Sequence, residues 1–383
     1  MMDSVNPIVI VGAGLAGYTL AREIRKRDAV VPVTLITRDD GVFYAKPNLS
    51  NALAAGKSAE ALAGADAAKM AADLAISVRT QLAVTALDTR DQRIRFDDGS
   101  ELVYARLVLA LGADPIPHGL SGAGADDVLT VNDLADYAVF RAAIDGKKRV
   151  TVLGGGLIGC EFANDLAHAG FEVDVVHLGG WPLERLLPVE AGQRLADSLA
   201  ALKVRWHFGR TAHSVELMAN GYQVTLDNGA SLAAEVVLSA IGLKPRTLLA
   251  QAAGIPVNRG IVADRLLETG AANVYAMGDC AEVEGLNLPY VQPLMVQARA
   301  LAATLTGEPT SVVYPPMPVM VKTPAHPVAV LPPRIGAAGG WQVECSDSGI
   351  CALHLDDSGR MQGFVLTGSE TGRRNLLVKE LAA

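Results

Sequence analysis

The chain is 383 residues long, half of them hydrophobic, and carries a formal net charge of -8. That length supports two or three domains, and the negative balance argues against general nucleic-acid binding or adhesion to anionic membranes, leaving room only for a local basic patch. Mean hydropathy is +0.27, yet no run reaches the ~20 nearly uninterrupted apolar residues of a spanning helix, so the excess is read as parallel strands buried on both faces, without stable membrane insertion.

The start lacks a basic segment and a cleavage pattern, so no signal peptide is expected. Four scattered cysteines, Cys160, Cys280, Cys345 and Cys351, suit a reducing, cytoplasmic setting. The apolar run Ile8 to Val11 leads directly into Gly12, Ala13, Gly14, Leu15, Ala16 and Gly17, with an amphipathic helix after it. Glycines at that spacing allow a tight turn, approach of backbone to phosphate, and close packing of helix on strand; the helix dipole favours the anion. The segment reads as a pyrophosphate cradle. Val31 to Asp39 reads as a second strand, at whose end such folds place an acid for the ribose hydroxyls. Here Thr37 holds that position, followed by Arg38 and Asp39. Thr37 is read either as a ribose contact or as an ordinary β-branched strand residue.

Phe43 to Ser50 is rich in turn residues, and Pro47 bars a continuing helix; Lys46 is a single cation among small residues. The alanine-rich stretch Ala52 to Leu74 is expected to be helical. Strands are expected near Ser77 to Val84, Arg93 to Phe96 and Leu102 to Leu111, with Asp98 and Gly99 as a hairpin turn between the second and third. A glycine-rich stretch, His118 to Asp127, leads into what reads as a second domain.

There the opening pattern recurs: an apolar strand, then Gly154, Gly156, Leu157, Ile158 and Gly159. Two strand-glycine-helix units imply two dinucleotides. A helix Glu161 to Ala169 and a strand Glu172 to His177 follow. His177 stands at the second ribose position, and with no arginine immediately after it NADH is favoured over NADPH, the choice remaining open. A meander is expected from Val204, then a strand Val236 to Ile241 closed by Gly242. Asn273 to Val283 puts a strand against Gly278 and Asp279, where one carboxylate reaches a sugar-alcohol hydroxyl or simply occupies a tight turn. Pro293 to Leu305 reads as a helix, and Pro315, Pro316 and Pro318 open a last small α+β segment.

Taken together, GAGLAG, LVLALGADP, GGGLIGCE, VVLSAIGLKP and NVYAMGDCAEV resemble the two-dinucleotide FAD/NAD(P)H flavoprotein reductases, in family order along the whole chain. FYAKPNLS, CEFANDLA and VKTP resemble those members that pass electrons to rubredoxin in bacterial alkane oxidation. The resemblance implies an α/β fold with two Rossmann-like dinucleotide-binding domains and a small C-terminal α+β domain: a discontinuous FAD-binding domain (1–117 and 245–311), an NAD-binding domain (118–244) and a C-terminal domain (312–383). It also implies FAD on Gly12 to Gly17, Thr37, Arg38, Lys46, Val84, Asp279, Val291 and Lys322. NADH falls to Gly154 to Gly159, His177 and Gly242, and the family brings Lys46 and Glu161 together near the reactive flavin nitrogen as catalytic residues.

Family members that reduce disulfides need paired cysteines, and those that reduce peroxide need one flavin-side cysteine. Neither pattern is present; Cys160 and Cys280 read as buried small hydrophobes. The seven histidines show no ligand spacing, so no metal site is expected. Electrons are then expected to leave the flavin directly, toward a one-electron iron protein; the resemblance implies a rubredoxin, small and acidic, steered by basic residues such as Lys322, Arg334, Arg373 and Arg374. A ferredoxin of an oxygenase system is the nearest alternative acceptor, and a signalling flavoprotein the alternative of another class. A monomer is expected.

Overall fold

The computed structural model describes residues 6–334 and 336–382. The chain forms two compact units, the first from the chain up to Lys46 with Ala63–Asp114 and Leu243–Tyr314, the second from Pro47–Leu62, Pro115–Gly242 and the chain from Pro315 onward.

The first unit is built on a five-stranded parallel sheet in the order Val274–Ala276, Arg106–Leu109, Ile8–Val11, Val33–Ile36, Ser77–Arg79. Ile8–Val11 is central, and all four of its residues are buried. A strand covered on both faces needs an unbroken apolar run rather than alternation, which is why this one is so legible. Helices Leu15–Arg27 and Val291–Leu305 pack together, and Tyr18, Leu20, Ile24 and Leu301 join the sheet residues in one core.

Two expected strands are each split. Ser77–Arg79 joins the parallel sheet while Val84–Asp88 starts a separate antiparallel meander, the break falling at Gln81, which has a left-handed φ of 54°. Likewise Glu101–Val103 closes that meander and Arg106–Leu109 enters the parallel sheet. The hairpin turn itself is as expected: Gly99 has φ +82° and Asp98 accepts the Ser100 amide at 2.8 Å. The alanine-rich stretch is helical only over Ala59–Leu62 and Ala67–Leu74. Gly64, whose Cβ would lie 3.0 Å from the Phe43 carbonyl, and Asp66, which caps the second helix through the Lys69 amide at 2.7 Å, override the alanine propensity.

In the second unit a four-stranded parallel sheet runs Val204–Phe208, Glu172–His177, Arg149–Leu153, Val236–Ser239. Val204–Phe208 is therefore an edge strand of this sheet, and the meander expected from it begins at Ala212. The register is locked by charge as well as apolar contact: Asp174, buried, receives Arg205 Nε and Nη2 at 2.9 and 2.7 Å and His207 Nε2 at 2.8 Å from the neighbouring strand. Helix Leu157–His168 starts one turn before the expected Glu161, with Gly156 as its cap. The C-terminal segment is a five-stranded antiparallel sheet followed by helix Arg374–Ala382. Among the described residues no helix is long and apolar enough to cross a membrane.

Candidate functional site

The two glycine turns have the same geometry. Gly12 has φ +119°, and a Cβ there would lie 2.2 Å from the Ala110 carbonyl oxygen; Gly154 has φ +107°, with the Ala240 carbonyl at 2.5 Å. A Cβ on Gly17 would lie 1.9 Å from Gly12 O, and one on Gly159 would lie 1.9 Å from Gly154 O. These four glycines let the helix press on the strand. Gly14 and Gly156 face open space and cap helices Leu15–Arg27 and Leu157–His168 without side-chain hydrogen bonds or first-turn acids. Amides of a helix's first turn have no intrahelical partner, so those of Leu15, Ala16 and Gly17, and of Leu157, Ile158 and Gly159, are left for an anion. Both turns thus fit a pyrophosphate.

At the end of the first ribose strand the carboxylate is Asp39, two residues beyond the expected place. It accepts the Thr37 hydroxyl at 2.6 Å and the Gly41 amide at 2.9 Å. Thr37 is buried and its proton is committed to Asp39; Arg38 is exposed. Lys46 opens the short 3-10 helix Lys46–Asn51, in which Pro47 is tolerated because a first-turn amide has no intrahelical partner. Asp279 lies in the turn Gly278–Cys280, held from below by Gln297, whose Oε1 accepts the Gly278 amide at 2.7 Å and whose Nε2 donates to Tyr314 Oη at 2.8 Å. Burial raises the pKa of Asp279, and the Lys46 charge offsets this in part. A desolvated carboxylate that accepts no hydrogen bond from the described residues fits a polyol hydroxyl. Nearby, Arg246 Nε binds Asp114 at 2.7 Å, and Arg38 and Lys46 add to the field that keeps Asp114 ionised below the usual carboxylate range. Val84 is half-buried and Val291 exposed at a helix start.

In the second unit Glu161 is only 2% exposed. Its Oε2 accepts Ser50 Oγ and Asn51 Nδ2, and its Oε1 accepts the Lys322 amide at 2.9 Å. Lys322 Nζ lies 3.2 Å from Oε2 and also donates to the Pro47 carbonyl. Lys322, its side chain 37% exposed, is thereby paired with a buried carboxylate, and Arg373 pairs with Glu370 at 3.2 Å. One helical turn on, Asp165 accepts the Leu53 and Ala54 amides at 2.8 and 3.0 Å, and Asn164 Oδ1 accepts the Ala325 amide at 3.1 Å. Glu161, Asn164 and Asp165 stand at i, i+3 and i+4, one face of the helix. Only Glu161 was singled out from sequence; three polar residues at helical spacing in an otherwise apolar run were the available signal for the other two.

His177 lies over the second glycine turn, its Nδ1 accepting the Gly155 amide at 3.1 Å. Burial lowers its pKa, ahead of the opposing charge of Glu184, so the ring is neutral. Gly242 has φ +130° and closes the adjoining strand. Cys160 and Cys280 are buried and unpaired; burial raises both thiols, Cys280 to about 11. Among the described residues no cluster could hold a metal ion.

Residues 6–303 match the sequence profile of the pyridine nucleotide-disulphide oxidoreductases. The chain belongs to this family. Within this pyridine nucleotide-disulphide oxidoreductase, residues 311–381 further match the rubredoxin binding C-terminal domain. The chain is 49% identical over 380 residues to a rubredoxin-NAD(+) reductase of Alcanivorax borkumensis, covering 99% of both, and 44% identical over 384 residues to one of Acinetobacter baylyi, covering 98% of both. A solved ferredoxin reductase of Rhodopseudomonas palustris matches with a TM-score of 0.89 at 26% identity, covering 99% of this chain and 96% of that one.

Proposed function

We propose that the chain is an NADH:rubredoxin oxidoreductase that binds FAD at the first glycine turn and NADH at the second. The observation that carries the reading is the C-terminal segment, 311–381, which matches a rubredoxin-binding domain and follows a dinucleotide-binding body with no thiol relay: Cys160 and Cys280 are both buried and unpaired. FAD, when bound, supplies a carrier that takes two electrons as a hydride and returns them singly.

The chain's own residues hold and orient the partners of that exchange. First-turn amides at Leu15 to Gly17 and Leu157 to Gly159 take the two pyrophosphates. Asp279 accepts a polyol hydroxyl, with Lys46 offsetting part of what burial costs its charge, and the Lys46 charge also favours negative charge on a reduced ring. Glu161 holds residues 50 and 51 and Lys322 in one arrangement, with Asn164 and Asp165 holding Ala325, Leu53 and Ala54 beside them. The electrons would feed an alkane hydroxylase system.

Likeness to the R. palustris reductase favours a second reading, a ferredoxin as acceptor. Steady-state rates with rubredoxin, a [2Fe-2S] ferredoxin and oxygen, each with NADH and with NADPH, separate the two. Rubredoxin with NADH is expected to be fastest by at least about tenfold; a ferredoxin rate equal to or above it overturns the assignment. Slow flavin reduction with all acceptors would instead favour a signalling flavoprotein.

A further inference from the structure

The second strand of a dinucleotide fold ordinarily ends in the residue that holds the adenosine ribose, a carboxylate where the ligand carries a free 2′-hydroxyl and a cation where it carries a 2′-phosphate. In the second unit that strand ends at His177, followed by Leu178, Gly179 and Gly180, so the strand itself supplies neither group. His177 is no substitute for a cation. Its Nδ1 uses a lone pair to accept the Gly155 amide, which a protonated ring cannot do, and burial holds its pKa down.

The carboxylate arrives from further along the chain. Residues 179–187 fold back over the strand end and are tied to the glycine turn: the Leu183 amide donates to Gly155 O at 2.9 Å, and Leu183, buried, takes a left-handed φ of 59° to make that bond. Trp181 Nε1 closes the segment on itself by donating to Leu187 O at 3.0 Å. The result places Glu184 against the strand end. Its Oε2 accepts the Gly180 amide at 3.0 Å, and its carboxylate lies so close to Gly179 that a Cβ there would fall 2.1 Å from its Cδ. Glycine at 179 is thus what allows the carboxylate to lie on the backbone, and the same carboxylate acts on His177 electrostatically.

We propose that Glu184 is the ribose-binding and specificity-determining residue of the NADH site, supplying from the following loop the carboxylate that the strand lacks. One Glu184 oxygen is spent on Gly180, which fixes the group; the other is free to accept ribose hydroxyls. A 2′-phosphate would meet this negative charge beside a neutral histidine. Arg185, exposed, and Arg210, whose Nη1 donates to Gly209 O at 3.0 Å, are the nearby cations that would compete for a phosphate.

The inference rests on the second turn being an NADH site, and the test separates the two. Calorimetric binding of ADP-ribose and of 2′-phospho-ADP-ribose to the FAD-loaded protein reads the ribose contact without turnover. Wild type is expected to bind ADP-ribose more tightly. In Glu184→Gln, which keeps the bond to Gly180, and in Glu184→Ala, ADP-ribose is expected to weaken roughly tenfold, the scale of a charge-assisted hydrogen bond, while the phosphorylated probe weakens less or gains. Arg185→Ala is expected to leave ADP-ribose affinity unchanged. Tight binding of ADP-ribose by wild type and both Glu184 variants alike overturns the role of Glu184, as does a wild-type preference for the phosphorylated probe. Binding of neither probe by wild type overturns the site itself.

Discussion

The Glu161 carboxylate lies against Lys322 twice over, 3.2 Å from its ammonium through Oε2 and 2.9 Å from its backbone amide through Oε1. One buried acid therefore joins helix Leu157–His168 to the chain at Ser50 and at Lys322. Glu161→Ala removes every acceptor at once and is expected to destabilise by about 2–3 kcal/mol, since the Lys322 amide and Ser50 hydroxyl lose their partner. Lys322→Met, taken from a side chain 37% exposed and partly screened by water, should cost about 1 kcal/mol. Urea denaturation of the FAD-loaded protein measures both; equal losses would mean that the ammonium, rather than the carboxylate, organises the cluster.

The glycine turns separate folding from binding. Gly14→Ala adds a methyl where nothing lies within 4 Å, so the protein should fold normally and lose FAD affinity only because the new methyl meets the ligand. Gly17→Ala places its methyl 1.9 Å from Gly12 O, and the helix must shift off its strand. The expected pattern is an unchanged melting temperature of the FAD-free protein for the first and a fall for the second, about 2 kcal/mol or more in stability. A Gly14→Ala variant that retained full FAD affinity would argue against phosphate at that turn.

Both turns were legible from sequence because the physical demand is local: a buried strand needs a continuous apolar run, and only glycine fits where a methyl would strike a carbonyl. Their repetition implied two dinucleotides, and the family resemblance carried the rest of the fold class. What could not be read was how the loops turn back and which partners they take. That Asp39, two residues on, accepts the Thr37 hydroxyl is not specified by the residues alone, nor is the return to the strand end of a carboxylate seven residues after His177. The split at Gln81 and the edge strand Val204–Phe208 were missed because apolar alternation does not say which sheet a strand joins. That Lys322 pairs with a buried acid was not readable either, because charge on a loop looks solvated until the partner, 161 residues away in sequence, is known.

The register lock at Asp174 makes stability depend on pH. Burial raises the pKa of this carboxylate, but its bonds to Arg205 and His207 outweigh that, and the net shift is downward. A folded pKa below the unfolded one stabilises fully above the unfolded value, about pH 4, and the contribution is lost as pH falls through the folded value. Asp174→Asn should therefore cost about 1–2 kcal/mol at pH 7 and progressively less below about pH 4. Denaturation of both proteins across that range tests it, and a gap that stays constant down to pH 2.5 would place the titration elsewhere.

Thiol reactivity checks the absence of a relay. Cys160, Cys280 and Cys351 are buried, with pKa values raised by burial, whereas Cys345 is exposed. A maleimide should label the native protein at Cys345, confirmed by peptide mapping, and reach the other three only after denaturation. Rapid native labelling of Cys160 or Cys280, with loss of rubredoxin reduction, would reopen thiol chemistry.

Lys46 is the residue whose charge the first unit uses most economically. It reduces the cost of ionising the half-buried Asp279 carboxylate and contributes to the field at Asp114. Lys46→Met removes that charge while keeping the length of the side chain, so Asp279 should be harder to ionise and negative charge on a reduced ring less favoured. Stopped-flow reduction by NADH is expected to slow about tenfold or more, with FAD still bound because the proposed pyrophosphate cradle, Gly12 to Gly17, is untouched. Lys46→Arg, which restores the charge, should recover most of the rate. If the methionine variant is reduced as fast as wild type, or if arginine recovers nothing, the effect is not electrostatic and Lys46 has no part in the hydride step.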